Sequence, residues 1–124
     1  MSGNPKSQCN VEYTDGYVHV RFRGQPELRD ILQVFAEIDT LDDSNLRLWD
    51  FVGGLDLTTA ELREIADFTA DQVPQPDRVA IVSAADLGYG LMRMFQAYRE
   101  DAERADIRVF RNVDDARAFL LADA

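Results

Sequence analysis

With 124 residues, 46% of them hydrophobic, the chain can fill one core and leaves little over for a second domain. Its formal charge of −10, from 13 Lys and Arg against 23 Asp and Glu, would repel a polyphosphate backbone or an anionic membrane. Nucleic acid and lipid headgroups are therefore poor expectations, and no apolar run approaches the roughly 20 residues that span a bilayer.

The charge is uneven. Residues 1–77 carry 6 basic and 15 acidic side chains, a balance of −9, while residues 78–124 carry 7 and 8, a balance of −1. Cys9 is the only cysteine, so no intrachain disulfide forms and a reducing compartment is expected. Met1 to Gln8 is polar and reads as a disordered lead-in rather than a signal peptide, which makes a cytoplasmic location the expectation. Residues 9–124 read as a single domain.

Cys9, Val11 and Tyr13 alternate with polar residues, as do Val18, Val20 and Phe22 after the Thr14-Asp15-Gly16 turn, predicting an antiparallel hairpin. His19 and Arg21 fall on its polar face, where a lone exposed histidine is a surface residue. Pro26 suits the first turn of a helix carrying Leu28, Ile31, Leu32, Phe35 and Ile38 and ending near Asp39. Asp42 and Asp43 lie in a polar connection without an oxygen-rich metal loop around them. Arg47 to Phe51 predicts a third strand, and Gly53-Gly54 a turn. Thr58 with Glu61 fits a capping box opening a second helix, with Leu62, Ile65, Ala66 and Thr69 inward.

After Pro74 and Pro76, the unbroken apolar run Val79-Ala80-Ile81-Val82 predicts a strand covered on both faces. The helix from Leu87 to Ala102 is expected to bury Leu87, Leu91, Met94, Phe95 and Tyr98. Ile107, Val109 and Phe110 mark a fifth strand, and Asn112 caps a last helix with Val113, Ala116, Phe119 and Leu120 inward. Strands alternating with single helices imply a five-stranded, mostly parallel α/β sheet with four helices, its first strand antiparallel at one edge.

Catalytic patterns are thin. The third-strand loop lacks both the G-x-G-x-x-G spacing and a Gly-Lys-Ser/Thr ending, and Ser83 sits in no nucleophile elbow. One Cys and one His serve zinc poorly, so neither a metal nor a cofactor is expected. Ligands of open α/β sheets bind beyond the carboxyl ends of the strands, which selects Gly24-Gln25, Asp50 to Thr59, Ser83 to Arg93 and Arg111-Asn112. Within these stretches Asp50, Asp86, Tyr89, Gly90 and Arg93 are the candidate ligand or partner contacts. Gly90 within a helix asks for a reason, either close packing on the sheet or a bound ligand. Tyr89 and Arg93 are four apart and share a helix face. Arg93, Arg99, Arg104, Arg108 and Arg111 form a basic set expected to lie mostly in solvent.

Val79 to Val82, Asp86 to Phe95, Val109 to Arg111 and Asp114 to Leu120 together resemble the SpoIIAA-like proteins. These are small bacterial proteins related in fold to STAS domains and, more distantly, to CRAL-TRIO lipid-binding domains. The resemblance runs from about Val11 to Leu121 and implies a right-handed β–α superhelix. The Asp-Ser-Ser-Gly phosphorylation motif of STAS antagonists is replaced here by Asp50 to Gly54. Thr58, the nearby hydroxyl, is better explained as a cap than as a phosphorylation site. The extra helical lid of CRAL-TRIO relatives is absent too. The expected function is a non-enzymatic module binding a protein partner or a second copy of itself. The alternative is a small anionic or lipid-like ligand held among Asp50, Asp86, Tyr89 and Arg93.

Overall fold

The computed structural model describes residues 9–14, 16–41, 46–55, 57–70, 78–100 and 106–122. The lead-in at residues 1–8, Asp42 and Asp43, Pro74 and Pro76, Arg104 and the side chains of Phe35 and Ile38 lie outside that description. The elements follow in the order β1 (Cys9–Thr14), β2 (Tyr17–Phe22), α1 (Leu28–Leu41), β3 (Leu46–Phe51), α2 (Thr59–Ala70), β4 (Arg78–Val82), α3 (Asp86–Glu100), β5 (Asp106–Phe110) and α4 (Val113–Leu121).

The five strands lie in chain order, β1-β2-β3-β4-β5. β1 and β2 form the expected antiparallel hairpin, with Val11 opposite Val20. The other three pairs are parallel, aligning Val18, Arg47, Val79 and Ile107 in one row. All three crossovers advance in the same direction, so crossovers of one hand put their helices on one face of the sheet. There Val18, Val20, Trp49 and Ile81 pack against Ile31 and Val34 of α1, Leu62 and Ile65 of α2, and Met92 and Phe95 of α3. Phe22 stacks on Phe51, with ring centroids 5.2 Å apart.

The opposite face has one helix. Ala116 and Leu120 of α4 close over Tyr17, Leu48, Ala80 and Val82, with Phe110 and Phe119 at the margin. β4, sandwiched between the two layers, is the doubly covered strand its apolar run implies. Arg78 ties α4 down from below, its Nη1 donating to the carbonyls of Phe119, Leu120 and Ala122 at 3.3, 3.0 and 2.6 Å. These are acceptors that a helix end leaves unpaired, and a cation there also opposes the helix dipole.

The predicted caps are present. Glu61 N–H donates to Thr58 Oγ at 3.1 Å and Thr58 N–H donates to Glu61 Oε1 at 2.9 Å, a reciprocal capping box. Asp115 N–H donates to Asn112 Oδ1 at 2.8 Å at the head of α4.

Several residues depart from expectation. His19 is buried, its Nε2 3.5 Å from Asp50 Oδ2 on the neighbouring strand and its ring beside that of Tyr17. Arg99 is buried as well, its Nη1 donating to Thr69 Oγ at 3.1 Å while the Thr69 hydroxyl donates to the Ala66 carbonyl. Burial lowers the Arg99 pKa from its ordinary value by penalising the charged form. Leu87 is exposed rather than core, which follows from the orientation of α3 considered below.

Leu62 is fully buried where α2 meets the sheet. Leu62→Ala should therefore cost about 2–5 kcal/mol of unfolding free energy, measured by denaturant titration, with the far-ultraviolet spectrum of the folded state unchanged.

Candidate functional site

α3 begins where β4 ends, and its first turn is seated by one close contact. A Cβ built on Gly88 would stand 2.2 Å from Ser83 Oγ, 3.4 Å from Ser83 Cβ and 3.5 Å from Leu55 Cβ. The missing side chain is thus what lets the helix lie on the strand end and on the loop after β3. Ser83 is 1% exposed, and its hydroxyl has no hydrogen-bond partner among the described residues. Its backbone is engaged, with Ser83 N–H donating to the Phe110 carbonyl at 3.0 Å. A second close approach binds the neighbouring loops: a Cβ on Gly53 would fall 2.2 Å from the Arg23 carbonyl oxygen.

Gly90 does not have the packing role expected of it. A Cβ there would meet nothing within 4 Å, and the residue faces solvent. The reason lies in the phase of α3. Gly88, Met92, Phe95 and Arg99 point inward, so the buried face is one residue out of step with the apolar stripe. Leu91 and Tyr98 sit half-buried at the flank, whereas Leu87 is 61% and Met94 37% exposed. Arg63 of α2 stacks over the Tyr98 ring at 4.7 Å, which identifies this flank as the α2 side.

The candidate residues separate into groups. Arg111, at the end of β5, donates to Asp86 Oδ1 at 2.7 Å and to the Ala84 carbonyl at 3.2 Å. Its guanidinium lies 4.3 Å from the centre of the Tyr89 ring. Asp86 and Tyr89 are thereby brought together by Arg111, which lies in one of the strand-end loops that the rule for open α/β sheets selects. Arg93 lies in solvent on the same helix. Asp50 is elsewhere. Its register partner is Val82, whose side chain packs beneath α4, so Asp50 occupies the opposite face of the sheet from α3. It shares no pocket with Tyr89 and Arg93.

There Asp50 Oδ2 lies 3.5 Å from His19 Nε2 and 3.6 Å from Arg21 Nε. His19 and Asp50 are buried, and Glu12 stands opposite His19 on β1. The buried carboxylate is thus paired with the Arg21 guanidinium and lies at hydrogen-bonding distance of the His19 ring, the kind of pairing that keeps a charged group inside a fold. Among the described residues no three His, Cys, Asp or Glu side chains are placed to hold a metal ion. Thr58 is exposed, with its hydroxyl engaged as the α2 cap.

No described helix is long and apolar enough to cross a membrane. Compared with protein-family models, curated proteins and solved structures, the chain matches none.

The two glycines of α3 should respond in opposite directions. Gly90→Ala should raise stability by up to about 1 kcal/mol, because an exposed helical glycine only adds chain entropy to the unfolded state. Gly88→Ala should destabilise, and Ser83→Ala should restore most of the loss by removing the opposing hydroxyl. Thermal melts of the two single variants and the double variant form the cycle that measures this coupling.

Proposed function

We propose that this chain is a non-enzymatic interaction domain of SpoIIAA-like, STAS-type build that contacts another protein chain through the outer surface of α3. One observation carries the reading. Leu87 and Met94 form an apolar stripe at helical spacing that faces solvent instead of the core. Val52, 60% exposed in the turn after β3, adds a further apolar side chain at the carboxyl ends of the strands. The sheet order with its N-terminal hairpin agrees with the resemblance noted in the sequence, and the near-neutral balance of residues 78–124 favours contact on this half of the chain.

The test compares proteins cross-linked to the purified wild-type chain with those cross-linked to Leu87→Arg/Met94→Arg, each identified by mass spectrometry. Both positions are exposed, so the variant should melt within a few degrees of wild type. Loss of specific cross-links in the variant supports the proposal. An unchanged set, or no specific cross-link with either chain, counts against it.

A further inference from the structure

Resting on that reading, we propose that the partner at α3 is a second copy of this chain, docked antiparallel with Gly90 at the centre. The buried face of α3 is centred between Gly88, Met92, Phe95 and Arg99. At about 100° per residue, Gly90 then lies on the outer crest of the helix, almost opposite that face. Leu87 and Met94 flank the crest on the α2 side. Asp86 and Arg93 flank it on the other.

This arrangement is complementary to itself. Leu87 is three residues before Gly90 and Met94 four after; Asp86 is four before and Arg93 three after. A two-fold axis crossing the helix at Gly90 and lying in the plane of contact keeps each flank against its own kind and reverses the chain direction. Leu87 of one copy then meets Met94 of the other, and Asp86 meets Arg93, twice each. The absent Cβ at the crossing point lets the two backbones approach. No described residue of either monomer competes for that space, since a Cβ on Gly90 would touch none of their atoms within 4 Å.

The charges are available for such a contact. The Asp86 side chain is 94% exposed, with Oδ1 accepting from Arg111. Arg93 is exposed and has no ion pair among the described residues. The whole chain carries −10, which opposes self-association in general, but residues 78–124 contribute only −1 of it. A single crossing of two helices of 15 residues is small for a stable interface, so the dimer dissociates on dilution.

The experiment is sedimentation of the full chain over a concentration series, separating the 14.0 kDa monomer from a particle of twice that mass. Wild type should move toward the doubled mass as concentration rises. Gly90→Gln should remain monomeric while melting no lower than wild type, because its side chain enters empty space in the monomer. Arg93→Asp should weaken dimerisation at least tenfold, and Asp86→Arg/Arg93→Asp should recover most of that loss. A wild type that stays monomeric throughout overturns the proposal, as does a dimer indifferent to Gly90→Gln or a charge swap without recovery. If wild type is monomeric while Leu87→Arg/Met94→Arg still loses cross-links to a different protein, self-docking fails and the broader interaction reading stands.

Discussion

Three crossovers advancing in one direction across a sheet laid out in chain order determine most of this structure. They oblige α1, α2 and α3 to share one face, where the larger core forms. They leave the opposite face to α4, which among the described helices is the one not placed between two strands of the sheet. α4 closes over β3, β4 and β5, and Arg78 secures its far end. Toward β1 that face turns polar, and Glu12, His19, Arg21 and Asp50 occupy it.

The same constraint shapes α3. Its neighbours are α2 on one side and the strands below, so among the described residues no further helix covers its upper surface. How deeply α3 sits is set by Gly88 against Ser83 and Leu55, and how it is rotated by Met92, Phe95 and Arg99. With the inward face fixed in this way, the apolar side chains that remain must emerge into solvent. Exposure of Leu87 and Met94 is thus a consequence of the seating rather than a local accident.

Much of the fold was legible from residue order. The apolar run of β4, the Thr58–Glu61 capping box and the Asn112 cap each encode local physics that tertiary context did not override, whereas the alternation of β2 gives the strand but not a solvent-facing His19. The phase of α3 was not legible, for a definite reason. Phe95 is buried as expected, but Leu87, Leu91, Met94 and Tyr98 have the same spacing as Gly88, Met92, Phe95 and Arg99, displaced by one residue. The true inward face includes a glycine and an arginine, which an apolar count passes over. The burial of His19 is not legible in the hairpin itself, because the carboxylate it lies against, Asp50, comes from β3, 31 residues later in the chain. Asp86 and Tyr89 were legible as neighbours on one helix, but their link through Arg111 depends on the end of β5 arriving beside them.

Chain-order pairing also governs how the sheet is completed. Each parallel contact closes a segment of similar length, since Val18 pairs with Arg47, Arg47 with Val79 and Val79 with Ile107. The sheet can therefore grow by accretion, one strand at a time, without inserting a strand between two already paired. Until β5 is added, the apolar β4 stands at the margin with its backbone groups open, a template for pairing with other chains. β5, with Asp106 and Arg108 paired at 3.2 Å on its exposed face, replaces that margin with a charged one. The last strand thus acts as a guard against aggregation, and losing it would threaten solubility before it threatened the rest of the core.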